Sequence, residues 1–178
     1  MMKMIRHMTR ASAAAVALAL SVLAPSGTAS ADPNGHPQPG TYCTGWESVY
    51  GQGGYNFTDF RVCVQVADNE GRSAMYIETD RNTYWSSGAW YNATEGYPAK
   101  VSATVNMGAN DSTGGPSVSE YGSWTQTSRH AELPIGPIGI VNCGIRHLDV
   151  SYYQVNPYLG PDYAIDVKRS YDDFVLDC

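Results

Sequence analysis

The chain predicts an all-β domain, either an antiparallel β-sandwich or a closed β-barrel. Three observations carry that prediction. Apolar and polar side chains alternate with a period of two in segment after segment, as in Phe60, Val62, Val64 and Val66 against Arg61, Cys63 and Gln65. Clusters of Gly, Pro, Asn and Asp separate those segments at short intervals. No segment has a convincing amphipathic helical period. The 18 Gly, 13 Tyr and 4 Trp suit strands and turns. At 178 residues the chain has room for one such domain and a tail.

The first element is an export signal, expected over residues 1–31. Lys3, Arg6 and Arg10 form a positive start. An uncharged Ala/Val/Leu run of about 14 residues follows, short of the roughly 20 that a membrane span needs. Pro25 and Gly27 break it, and Ala29-Ser30-Ala31 supplies a small-x-small cleavage point. Arg6 and Arg10 are not adjacent, so the general secretion route fits better than the twin-arginine one. Cleavage turns a chain of net charge −6 into one of 147 residues with 8 Lys/Arg against 17 Asp/Glu, or −9. That balance disfavours nucleic acid, whose phosphates need clustered cations.

A Pro/Gly arm is expected next, over residues 32–41. Asp32-Pro33-Asn34-Gly35-His36-Pro37-Gln38-Pro39-Gly40 has three prolines and no strongly apolar side chain to bury. It reads as extended and mobile. It is either a passive spacer or an element that threads into a groove of a partner.

The β domain is expected over 42–178. All four cysteines lie in it, and an even count in an exported chain implies disulfides. The favoured pairs are Cys43 with Cys63 and Cys143 with Cys178, each tying a terminal segment to a strand or its edge. Cys63 points away from the valine face, so a crossing segment bearing Cys43 is expected over the outer face. No C-x2–4-C spacing occurs, which argues against zinc. Neither a metal nor a cofactor is expected.

Strands follow in order. Residues 57–67 and 72–79 read as a hairpin around Asp68-Asn69-Glu70-Gly71. Residues 84–91 are aromatic, with a bulge or tight turn at Ser86-Ser87-Gly88. Residues 101–107 alternate, then a turn cluster fills 110–116. Residues 117–129 are polar and suit an edge strand. Pro134-Ile135-Gly136-Pro137-Ile138-Gly139-Ile140-Val141 cannot be an ordinary central strand. It reads as a buried crossover loop or as an exposed apolar loop that docks on a partner. Two further alternating runs centre on Val150 and Ile165. About seven to nine strands result.

Catalytic motifs are missing. No G-x-S-x-G, H-E-x-x-H or calcium-loop pattern occurs. His147 and Asp149 share one side of a strand, opposite Leu148 and Val150, which suits an acid/base or metal pair or a solvated face. Asp172, Asp173 and Asp177 read as a solvated acidic tail. Aromatic side chains are the richer signal. Trp85, Trp90 and Tyr91 cluster beside Tyr84, and such rings either fill a core or form a platform that stacks on sugar faces or anchors a protein.

The Ala-rich signal, the Asp32-Pro33-Asn34-Gly35 start and the Gly/Tyr-rich disulfide β domain resemble small exported actinobacterial proteins. Among them the chain resembles the small adaptor of umbrella toxin particles, which are secreted antibacterial assemblies. The resemblance implies a non-enzymatic bridge between a lectin-bearing subunit and a large toxin subunit, with residues 32–40 inserting into the partner. The expected function is therefore that of a secreted, non-catalytic adaptor. The alternatives are a carbohydrate-binding module on Trp85, Trp90 and Tyr91, a secreted protease or glycosidase inhibitor, and a hydrolase built on His147 and Asp149.

Overall fold

A computed structural model describes residues 35–109 and 117–178. The strands are β1 (Gly40–Cys43), β2 (Glu47–Tyr50), β3 (Asn56–Val66), β4 (Arg72–Ser86), β5 (Ala89–Asn92), β6 (Ala99–Ala109), β7 (Val118–Gln126), β8 (Ala131–Ile140), β9 (Gly144–Asn156) and β10 (Gly160–Leu176), with a 3-10 turn at Gln52–Gly54. They form two antiparallel sheets that do not close into a barrel, so the sandwich holds and the barrel alternative falls. In the first sheet β3 and β4 are central. β1 and β2 flank β3 in succession, while β8 and β5 flank β4. The second sheet runs β10-β9-β6-β7.

Alternation decides what lies between the sheets. Phe60, Val62, Val64, Met75 and Ile77 face Val101, Val105, Leu148, Val150, Tyr152 and Ile165, all almost wholly buried. Buried polar groups gather at one end of this core and bond to one another. Gln154 Nε2 donates to Asn56 Oδ1 (3.1 Å) and Asn82 Oδ1 (3.0 Å), and Tyr152 donates to Gln154 Oε1 at 2.6 Å. Residues of β3, β4 and β9 are thereby cross-linked below the aromatic end described next.

Both expected disulfides are present, Cys43–Cys63 and Cys143–Cys178. They place the folded chain in an oxidising environment. The path of Cys43 differs from expectation. It does not cross the outer face; it lies on β1, directly opposite Cys63 in register, because a strand beside β3 satisfies its own backbone groups.

Three further expectations change. The Pro-Ile-Gly segment is not a loop but strand β8, paired with β4 through two register shifts. It lies at the sheet edge, where a proline removes no ladder bond that a neighbour needs, and Pro134 and Pro137 point out while Ile135 and Ile138 are buried. The acidic tail is the end of β10, irregular between Tyr171 and Phe174 and continuing to buried Leu176. The arm is docked over its described residues. Cys143 N–H donates to Gly35 O (2.8 Å), His36 Nδ1 meets Val141 O at 3.1 Å, Gln38 N–H donates to Asp177 O (3.1 Å), and Pro37 is buried. Gly71 permits this seat, since a Cβ there would stand 2.5 Å from Val141 O and 3.0 Å from His36 Nδ1. The expected signal segment, Asp32, Pro33, Asn34 and the 110–116 turn lie outside the described residues. No helix among the described residues is long and apolar enough to cross a membrane.

Candidate functional site: an aromatic hairpin with two faces

The sequence Tyr84-Trp85-Ser86-Ser87-Gly88-Ala89-Trp90-Tyr91 is nearly a palindrome around its turn. Ser87 and Gly88 both have positive φ, 49° and 85°, the pairing that closes a two-residue hairpin with the right twist. The turn fixes the register: Tyr84 opposes Tyr91 and Trp85 opposes Trp90. Because side chains alternate, the tyrosine pair occupies one face and the tryptophan pair the other. Trp85, Trp90 and Tyr91 therefore do not form one platform. Trp90 and Tyr91 are each nearly half exposed, on opposite faces of the hairpin.

The tyrosine face is the larger cleft, about 560 Å³. Buried Tyr84 is its floor. Tyr91 lies 5.9 Å away, Tyr97 6.0 Å and Tyr158 6.4 Å, centroid to centroid, and Tyr97 and Tyr158 are 6.0 Å apart. Ser86, Ser87, Asn92 and Thr94 give it a polar rim. Tyr97 and Tyr158 come from loops that are held locally. Thr94 and Tyr97 exchange backbone bonds at 3.1 Å. Asn156 Oδ1 accepts the N–H groups of Tyr158 (2.9 Å) and Leu159 (2.8 Å), while its Nδ2 donates to Tyr55 O at 2.8 Å. Burial, reinforced by Tyr97, Tyr91 and Tyr158, pushes the Tyr84 phenol up, so it stays a neutral hydroxyl.

The tryptophan face opens on a second groove of about 360 Å³. Phe57 forms its base, with Tyr50 at 4.6 Å and Trp90 at 6.4 Å. Trp85 braces Trp90 edge-on at 5.6 Å. A register shift between Phe57 and Asp59 turns Arg81 out and Asn82 in. The Arg81 guanidinium then lies 5.0 Å over the Phe57 ring and pairs with buried Asp59, which also accepts from Ser48 at 2.6 Å. Arg129, held to Asp80 at 3.3 Å, completes the groove wall.

His147 and Asp149 do come together, at 3.1 Å, but with a third partner: Asp172 Oδ1 lies 2.6 Å from His147 Nδ1. Both ring nitrogens thus face carboxylates, first Asp172 and then Asp149, which push the imidazole up and favour its charged form. Ser170 donates to Asp149 (2.6 Å), not to the ring. The cluster is an ion triad and lacks the connectivity of a nucleophile relay. Cys43, Cys63 and Glu78 also lie close together, but both sulfurs are spent in their disulfide.

Sequence reasoning reached Tyr84, Trp85, Trp90 and Tyr91 and missed Tyr97, Tyr158, Tyr50, Phe57, Arg81 and Arg129. The palindrome was the available signal, because alternation about a Ser-Gly turn already divides its rings between two faces. The remaining residues arrive from other elements and share no spacing with the hairpin.

Comparison with protein-family models, with curated proteins and with solved structures finds no match. The fold and the site define the class at hand: a disulfide-bonded antiparallel β-sandwich with an aromatic cleft on each face of one hairpin.

Proposed function

We propose that this chain is an exported, non-catalytic binding protein that recognises carbohydrate in the tyrosine cleft. The supporting observation is the cleft's lining. Four phenol rings converge on one opening, with hydroxyl and amide groups at the rim. Pyranose rings offer apolar C–H faces and equatorial hydroxyls, and aromatic faces with neutral polar neighbours match both. The cleft is also preformed, since a tight turn, two capped loops and a buried floor hold its rings. A glycan array followed by titration calorimetry tests the reading. Binding to neutral oligosaccharides, weakened at least about tenfold by Tyr97→Ala or Tyr158→Ala, is the expected result. A null array at millimolar glycan would sink it.

The adaptor reading is a second proposal, and one observation favours it. Ile145 and Val175, adjacent in register on β9 and β10, are each about half exposed at the end where the arm docks. Ile145 is two residues from Cys143 and Val175 two from Asp177, the two positions that bind Gly35 and Gln38. An apolar pair beside the arm's exit suits a partner protein that takes the residues preceding Gly35. Affinity purification from culture supernatant tests this reading, and recovery of a lone monomer would count against it.

A further inference from the structure

The tryptophan-face groove has a chemistry different from that of the tyrosine cleft. Two guanidinium groups line it and, among the described residues, no carboxylate does. The two carboxylates that hold those guanidiniums are not among the residues that line the groove. Asp59 is only 7% exposed beneath Arg81, which is 50% exposed, whereas Asp80 is 38% exposed beside Arg129, which is 58% exposed. Only 8 Lys/Arg remain after residue 31, so two in one small groove is a concentration that the acidic chain as a whole does not predict. The same groove is lined by flat apolar faces, Trp90 and Tyr50, and by the neutral polar groups Thr83 and Asn92.

We infer that this groove binds a carboxylate-bearing pyranose, that is, a saccharide of the uronic acid type. The sugar ring lies on the Trp90 and Tyr50 faces, and its carboxylate accepts from Arg81 and Arg129. Guanidinium recognises a carboxylate by its planar fork, and the bond strengthens where an aromatic base excludes water from one side. Arg81 is already held over Phe57 and by Asp59, so little side-chain freedom is lost when it engages a ligand. The inference rests on the carbohydrate reading above and adds to it a second subsite, selective for negative charge. Asn92 lines both openings, so the two subsites adjoin across the hairpin rim.

Calorimetry on the chain from residue 32 onward, with oligogalacturonate and with its methyl ester, tests the inference. The ester keeps the ring and removes the charge. The acid should bind at least about tenfold tighter than the ester at low salt, the advantage shrinking as NaCl is added. Arg129→Gln should shrink that preference, its combination with Arg81→Gln should erase it, and Trp90→Ala should weaken both ligands. Tyr97→Ala, in the other cleft, should leave the ratio of acid to ester affinity unchanged. Arg129 and Trp90 are both well exposed, so neither variant threatens the fold. Equal affinity for acid and ester overturns the inference. So does a preference that survives Arg129→Gln combined with Arg81→Gln, or tighter binding of a single-stranded oligonucleotide than of the uronate. Neutral glycan binding that is lost in Tyr97→Ala, with no uronate binding at all, overturns the inference and leaves the tyrosine-cleft reading standing.

Discussion

The ring of Tyr152 lies flat on that of Phe60, centroids 4.6 Å apart and planes within 3°, joining the two sheets at the centre of the sandwich. Both side chains are completely buried. Each serves a different neighbour: Phe60 only packs, whereas Tyr152 also donates its hydroxyl to Gln154. The pair therefore predicts two separable losses. Phe60→Ala should cost about 3–5 kcal/mol, a lost ring plus the cavity left behind. Tyr152→Phe should cost about 1–2 kcal/mol, the hydrogen bonding of the hydroxyl without loss of the ring. Urea unfolding of the two variants measures both, and equal losses would refute the separation.

The two disulfides close chain segments of different length, 20 residues for Cys43–Cys63 and 35 for Cys143–Cys178. Chain-entropy arguments put each at about 3–4 kcal/mol, slightly more for the longer loop. The Cys143→Ser/Cys178→Ser double variant should also free the end of β10 and the seat of the arm. Proteolysis should then cut near residue 178 first. Unchanged protease resistance would show that packing alone retains β10.

The ion triad predicts a pH window. Asp172 and then Asp149 raise the His147 imidazole above its ordinary 6.5, so its contribution is complete below 6.5 and is lost as pH rises through the higher folded value. The Ser170 hydroxyl and then His147 lower Asp149 below its ordinary 3.8, so its contribution is present above 3.8 and is lost as pH falls through the lower folded value. The triad therefore stabilises most between about pH 4 and 6.5. Its groups are exposed enough that salt should weaken the effect. The difference in melting temperature between wild type and His147→Gln, measured from pH 3 to pH 9, should peak in that window and shrink on both sides. A flat difference across the range would contradict the triad.

The docked arm makes two deletions unequal. Removing residues 32–34 should leave the melting temperature unchanged. Removing 32–40 also takes the His36 and Gln38 bonds and buried Pro37, and should cost about 2 kcal/mol. An assembly role for the arm is then best tested with the shorter deletion, which separates partner loss from loss of stability. Equal melting temperatures for both forms would mean that the seat contributes nothing.

Much of the sandwich was legible because its physics is local. The valine alternation from Phe60 to Val66 needs only period two, and Asp68-Asn69-Glu70-Gly71 marks its own turn. The strand 118–126 was readable as an edge because both of its faces are rich in polar residues, and it does end the second sheet. What escaped depended on partners distant in sequence. Two proline-bearing units in β8 argue against a strand until β4 is known to lie on one side only. The arm appears unattached until Val141, Cys143 and Asp177 come within reach of it. Tyr158 joins Tyr84 across 73 intervening positions, and nothing at either place announces the other.

The prolines of β8 have a consequence for behaviour at high concentration. An edge strand with open amides invites a second molecule to add its own strand, and chains of such additions become insoluble fibres. Pro134 and Pro137 cannot donate, and the Trp124 indole, reaching across from β7, already occupies the Pro134 carbonyl at 3.0 Å. Gly136 leaves room for Glu120, whose carboxylate would lie 2.9 Å from any added Cβ, so a fixed charge stands beside the same edge. The segment that looked least like part of a sheet is thus the one that keeps neighbouring molecules from extending it.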